Sequence, residues 1–206
     1  MVNQQKISNL ISLNQHQEKT FVNLINELVL YNKHTNLVGR STLFDPWKSH
    51  ILDCIQIAPL IKNKKSTILD MGTGAGFPGL VLAIAGFNKV TLVDSNGKKI
   101  KFLEHVSKKL DIKVDIFSTR IEEMKKKHYD FLISRALANL NKLLTYSHKF
   151  LHNNTVLIFL KGENVNDEIK EAKKYWSFNI KIYPSYSDER GKILFIRNLS
   201  FIKWQK

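Results

Sequence analysis

The sequence predicts an α/β chain: a mostly parallel sheet of seven strands with helices on both faces, preceded by an N-terminal helical extension. Three observations carry this. From residue 66 onwards short apolar runs alternate with helical stretches. The last two apolar runs lie too close together for a crossover helix. Residues 1–65 show helical periodicity alone.

In the first segment, Ile7, Leu10, Ile11 and Leu13 fall at amphipathic-helix spacing, without the continuous apolar core of an export signal. Phe21, Leu24, Ile25, Leu28 and Val29 then repeat at i, i+3, i+4, i+7, i+8, and Ile51, Cys54, Ile55, Ala58 and Ile61 do so again. Between them, Tyr31 to Arg40 and the Asp45-Pro46 pair read as loop. The polar run 62–65 closes an extension of residues 1–65, expected to pack on a domain of residues 66–206. That domain opens with a strand at Thr67 to Leu69 and a helix at Pro78 to Ala85. Strands follow at Val90 to Val93, Val114 to Phe117, Tyr129 to Ser134 and Thr155 to Leu160. Helices are expected at Lys98 to Leu110, Glu122 to Lys125 (one short turn), Asn139 to Leu151 and Val165 to Trp176. The last strands, Ile180 to Tyr183 and Ile193 to Arg197, are joined through Pro184 to Lys192, which suits an antiparallel hairpin.

A chain of 206 residues with 43% hydrophobic residues and 12 Phe has the length and apolar content for one core with an extension, and excludes disorder. The single cysteine, Cys54, excludes an intramolecular disulfide framework and a site of several thiolates, so no metal is expected. The longest apolar stretch, Leu80 to Ala85, is far below the ~20 residues of a membrane span. A cytoplasmic monomer is the expectation. Lysine and arginine exceed aspartate and glutamate by 14, distributed as +4 over residues 1–65, +6 over 66–160 and +4 over 161–206. An excess spread through a folded surface suits a polyanionic partner, although abundant Lys, Asn and Ile also fit drift in base composition.

The segment from Ile68 to Gly79 runs from a strand into a helix and contains Gly72, Gly74, Gly76 and Gly79. Glycines serve where backbone turns with positive φ and where a ligand approaches without a Cβ in its way. Gly74, Gly76 and Gly79 satisfy the G-x-G-x-x-G spacing of nucleotide-binding turns, weak evidence alone. Asp70, two residues before the first glycine, places a carboxylate where an amino-acid ammonium would sit, whereas a dinucleotide needs an open helix N-terminus for its pyrophosphate. Asp94 ends the second strand, where a carboxylate accepts both ribose hydroxyls of an adenosine. Asp70 with Asp94 favours S-adenosylmethionine over NAD, and hence the Rossmann-like S-adenosylmethionine methyltransferase fold.

Several separated stretches resemble one known family: Leu69-Asp70-Met71-Gly72-Thr73-Gly74-Ala75-Gly76-Phe77-Pro78-Gly79, Leu92-Val93-Asp94-Ser95, Lys98 to Leu103, Ser134-Arg135-Ala136 and Leu160-Lys161-Gly162. Tyr31-Asn32-Lys33, Asn36-Leu37 and His50-Ile51-Leu52-Asp53 add to the likeness. The family is the small-subunit ribosomal RNA N7-guanine methyltransferases, also called glucose-inhibited division protein B. The resemblance implies methyl transfer from S-adenosylmethionine to N7 of a guanosine in the 530 loop of 16S rRNA, the partner being that rRNA or a small-subunit precursor. It implies that Gly72 and Phe77 line the cofactor, that Ile121 and Glu122 hold the adenine, and that Arg135 reaches the cofactor from the fourth strand. Asn96-Gly97, Cys54 and Tyr31 depart from the family's usual Leu-Gly, Ser and Trp.

Guanine N7 carries a lone pair and no proton, so its methylation needs positioning and no general base. The chain has no Asn-Pro-Pro-Tyr after the fourth strand, as amine methylases have, and its cysteine precedes the fold. Arg135 and Lys161, both at strand ends, are the candidates for a catalytic role, with an ion pair at the sheet edge as the alternative. His50 and Asp53 share a helix face, as a local hydrogen bond or as a substrate contact. Arg40, Lys98, Lys99 and Lys161 are the candidate RNA contacts, with solvated lysine faces as the alternative. A methyltransferase for a small molecule or protein, an NAD oxidoreductase and a non-catalytic RNA-binding protein are the rival functions.

Overall fold

The computed structural model describes residues 7–202; that part of the expected first amphipathic stretch falling on residues 1–6 lies outside them. A helix at Gln15–Thr35 opens with a reciprocal cap, in which Asn14 Oδ1 accepts from the Gln17 amide and Gln17 Oε1 from the Asn14 amide. Its buried stripe is Phe21, Leu24, Ile25 and Leu28, four of the five positions the periodicity predicts; the fifth, Val29, is exposed. Glu27, also buried, accepts from His105 and Lys109 at 2.8 Å each, fastening this helix to the helix Gly97–Lys109. Those two bonds hold the Glu27 carboxyl below the usual range.

The helix continues to Thr35, through half of the loop expected at Tyr31 to Arg40. Tertiary contacts explain the extension: Tyr31 packs edge-on against Phe102, and buried Asn32 accepts from the Val38 amide. Asn36 ends the helix in the left-handed region at φ 46°. The next apolar periodicity forms an irregular series, a wide turn at Trp47–Leu52, one α turn at Asp53–Ile55 and a tight turn at Ala58–Leu60.

The sheet has seven strands: β1 Ile68–Met71, β2 Val90–Asp94, β3 Asp115–Ser118, β4 Phe131–Arg135, β5 Val156–Lys161, β6 Trp176–Pro184 and β7 Lys192–Phe201. Their order is β3-β2-β1-β4-β5-β7-β6, with β1 to β5 parallel and β7 antiparallel to both neighbours. β6, reversed twice, runs with the parallel strands. The seven-stranded, mostly parallel prediction holds, including the hairpin.

One apolar core joins the N-terminal helices with Gly79–Ile84 and Gly97–Lys109 on one face of the sheet; another lies under Leu140–Ser147 and Val165–Ala172. Two local expectations are corrected. Trp176, placed at a helix end, begins β6, its indole donating to Asn141 Oδ1 at 2.9 Å. Residues 121–124 form a turn without helix: Ile121 and Met124 are buried, and Lys149 Nζ bonds the carbonyls of Glu122 and Met124, which a helix would use internally.

β1 and β4 are neighbours although β2 and β3 lie between them in sequence, so the chain leaves β1 in opposite directions on its two sides. A crevice opens at the carboxyl ends of strands about such a switch point. The glycine turn follows β1 there, and Arg135 ends β4.

Candidate functional site

A cleft of about 820 Å³ occupies that crevice. Gly72, Gly74, Phe77, Asp94, Arg135 and Lys161 all line it, so six of the residues singled out from the sequence converge on one space. A smaller hollow of about 180 Å³ contains Ile121 and Glu122 and shares Gly72, Asp94 and Leu137 with the main cleft.

The glycines of the turn serve different ends. A Cβ on Gly79 would stand 2.2 Å from Leu92 Cδ2, so glycine there permits the close packing of helix on sheet. Gly74, at φ +63°, has only Lys99 Nζ near the same position, at 3.8 Å; its open side belongs to the cleft. Asp94 holds this turn in place, Oδ2 accepting from the Gly74 amide at 2.9 Å and Oδ1 from the Asn96 amide at 2.8 Å. Each carboxylate oxygen keeps a second lone pair for a ligand hydroxyl.

Asp70 lies in β1, two residues before Gly72. It is fully buried and does not line the cleft; Oδ2 accepts from the Thr73 hydroxyl and the Gly79 amide. Those two bonds make the carboxylate part of the turn itself, while Oδ1 is left over. Burial pushes its pKa up to about 7, and Oδ1 has no hydrogen-bond partner.

Arg135 crosses the cleft wall to the N-terminal segment. Nη1 donates to Ser49 O and to Asp53 Oδ2, both at 2.9 Å, Nη2 lies 3.2 Å from His50 Nδ1, and the guanidinium covers the Phe77 ring at 5.1 Å. His50 stacks on Phe77 and meets Thr42 through Nε2. Burial, with Arg135 adding to it, pushes His50 down to about 4, so the ring is neutral at physiological pH. Lys161 pairs with Glu168 at 2.7 Å and donates to Ala138 O at 2.9 Å; its ammonium ties β5 to the following helix. Burial raises the Cys54 thiol well above its usual value, which keeps it protonated and unreactive.

Lys99 lines the cleft, whereas Lys98 is exposed outside it. Arg40 is exposed beside Gly39, a lining residue. Glu122 is exposed; hydrogen bonds from its own amide and from Tyr146 hold its carboxyl low.

Sequence reasoning missed Gln56, Ser185 and Ser187. Gln56 is 3% exposed and binds Asp53 O, Ser185 Oγ and the Tyr186 amide. Ser187 donates to Asp53 Oδ1. A polar side chain inside the apolar run Ile55 to Ile57 was the available signal for Gln56; the serines gave none.

The family described as rRNA small subunit methyltransferase G matches residues 17–193. This chain belongs to that family. Curated members bear this out: the enzyme from Caulobacter vibrioides is 41% identical over 181 residues, 85% of this chain and 82% of its own length. That from Rickettsia prowazekii is 40% identical, over 88% of this chain and 93% of its own. Solved structures agree on the fold. The ribosomal protein L11 methylase from Lactobacillus delbrueckii subsp. bulgaricus aligns with TM-score 0.58 at 19% identity, over 69% of this chain and 77% of that one. A SAM-dependent methyltransferase from Aquifex aeolicus gives 0.58 at 16% identity, over 76% and 94%. As a member of that family this chain is a methyltransferase, and it has the Rossmann-like fold of these structures. Among the described residues no group of His, Cys, Asp and Glu is arranged to hold a metal, and no helix is long and apolar enough to cross a membrane.

Proposed function

We propose that this chain methylates N7 of a guanosine in the 530 loop of 16S rRNA, acting on that rRNA or on a small-subunit precursor. It does so as a cytoplasmic monomer, with residues 1–65 as a helical extension on a methyltransferase domain of residues 66–206. The observation that carries the proposal is one continuous cleft at the β1/β4 switch point, in a family described by its action on small-subunit rRNA. The choice of N7 and of the 530 loop rests on the sequence resemblance.

The residues present fit S-adenosylmethionine. Gly74 leaves one side of the turn bare, Asp94 has lone pairs for a ribose, and the Ile121 and Glu122 hollow adjoins Asp94 and Gly72. The orphaned Oδ1 of Asp70, behind the turn, suits a cationic ligand in front of it. When bound, the cofactor supplies an electrophilic methyl group on a sulfonium. Ile121 is the buried wall of the adenine subsite and Glu122 its exposed rim. Phe77 and Gly72 line the cleft, and Arg135 fixes its wall by joining β4 to the segment bearing His50 and Asp53.

No proton leaves N7 during transfer, which agrees with the groups in the cleft. His50 is a weak base already held between Thr42 and Arg135, and Lys161 is engaged by Glu168. Arg135 and Lys161 therefore act by positioning, while Arg40, Lys98 and Lys99 meet phosphate. Incubating purified protein with methyl-labelled S-adenosylmethionine and small subunits from cells lacking the enzyme tests this. Label should appear in rRNA as N7-methylguanosine; label in ribosomal protein or on an exocyclic amine contradicts it.

A further inference from the structure

We infer that Tyr186 is a stacking platform for an unpaired base of the RNA substrate, in a hollow beside the cofactor cleft. The inference rests on the proposed rRNA substrate and assigns a residue to its recognition. The hollow, about 700 Å³, is lined by Lys48, Tyr186, Asp188, Glu189 and Arg190, and shares Ser49, Asp53, Ser185 and Asp188 with the cleft. A nucleotide there is the neighbour of one placed for methylation.

Tyr186 is 56% exposed, a large aromatic surface left in solvent. It does not sit on a loose loop. Buried Gln56 accepts from the Tyr186 amide at 2.7 Å, and Ser187 is fastened to Asp53. The loop also closes on itself: Ser185 N donates to Gly191 O at 3.1 Å, and Gly191 N to Asp188 O at 2.9 Å. A Cβ on Gly191 would approach Ser185 Cβ to 2.9 Å, so the closure depends on glycine. An exposed ring on backbone ordered in advance loses little freedom when something stacks on it.

The charges around the ring select the ligand. Asp188 and Glu189 in the same hollow repel a phosphate but accept from the N–H groups of a base. Lys48 and Arg190, exposed like the two carboxylates, line the same hollow and offer cations to a backbone phosphate; the Arg190 side chain makes only long pairs, 3.5 Å to Asp188 and 3.8 Å to Glu163. An aromatic face with base acceptors and cations beside it is an arrangement that takes a splayed single-stranded nucleotide. Each such stack is worth a factor of about 5 to 150 in affinity.

The test uses Tyr186→Leu and Tyr186→Phe with unmethylated small subunits. KM for the subunit should rise about tenfold in Tyr186→Leu and stay within about twofold in Tyr186→Phe, with S-adenosylmethionine affinity within about twofold in both. Ultraviolet irradiation of the wild-type complex should cross-link the 185–191 loop to rRNA. Unchanged KM in Tyr186→Leu overturns the platform and leaves the rRNA substrate standing. A cross-link from this loop to ribosomal protein alone overturns it in favour of a protein contact. If the wild-type protein methylates no rRNA in small subunits, the proposed function fails first, and the platform with it.

Discussion

The Arg135 guanidinium and the Asp53 carboxylate meet at 2.9 Å across 82 residues of sequence, joining the end of β4 to the irregular helical segment of the N-terminus. Both side chains are largely buried. Arg135 is thus the bolt through one wall of the cleft: it also holds Ser49 O and lies over Phe77. Asp53 passes the connection on to Ser187 in the β6–β7 loop. Three parts of the chain that share no local sequence pattern are fixed around one space by this pair.

Removing one partner of such a pair leaves a charge with little water and no counterion, at a cost of about 3–5 kcal/mol. Arg135→Ala should therefore lower Tm by about 10 °C and reduce methyl transfer at least tenfold. In a double-mutant cycle with Asp53→Asn, the second substitution should cost much less than the first. Additive losses in thermal unfolding, or unchanged turnover in Arg135→Ala, would show that the pair does not hold the wall.

The buried carboxyl of Asp70 gives stability a pH dependence. Its folded pKa, about 7, lies above the unfolded value of about 3.8, so the native state holds the proton more tightly. This contribution is fully present below pH 3.8 and is lost as pH rises through about 7. His50 works in the opposite sense: with its folded pKa near 4, it contributes stability above about 6.5 that is lost as pH falls through about 4. Comparing wild type with Asp70→Asn cancels the His50 effect. The wild type should lose stability relative to the variant by up to ~1.4 kcal/mol per pH unit between pH 4 and 7, read by denaturant unfolding. Parallel curves would remove Asp70 from this role.

Gly74 and Gly79 should respond oppositely to alanine. Gly74→Ala adds a methyl on the cleft side and left-handed strain of about 1–2 kcal/mol, so S-adenosylmethionine affinity should fall more than tenfold with a modest drop in Tm. Gly79→Ala meets Leu92 and Asp70 and should lower Tm severely. Calorimetric titration and thermal unfolding of both variants distinguish them; equal losses of Tm would contradict the division of roles.

Among the lysines, Lys99 lines the cleft and Lys98 flanks it on the same helix, whereas Lys173 and Lys174 are exposed beyond the helix Val165–Ala172. Lys98→Ala with Lys99→Ala should weaken rRNA binding and reduce its logarithmic salt slope by about 0.7–0.9 per lost contact. Lys173→Ala with Lys174→Ala should leave both unchanged. Identical behaviour of the two pairs in binding across a salt series would mean that the positive charge acts as diffuse background.

Local pattern made the sheet, its hairpin, the glycine turn and the strand-end positions of Asp94, Arg135 and Lys161 readable in the sequence. Spacing fixed where Asp70 stands, but not its rotamer, which the close Gly79 approach decides. The extra turn of helix after Tyr31 depends on Phe102 and Val38, and the hold of Gln56 on Tyr186 spans 130 residues. No periodicity encodes such meetings. Lys161 was readable as a cation at a strand end, while its engagement with Glu168 depends on how β5 meets the helix that follows.

The most direct test of the central claim is a map of N7-methylguanosine in small-subunit rRNA from cells with and without this protein, by cleavage at the modified base. One guanosine in the 530 loop should be methylated only when the protein is present, and a copy carrying Arg135→Ala should restore at most a tenth of that signal. An unchanged map in its absence, with every N7-methylguanosine retained, would contradict the account.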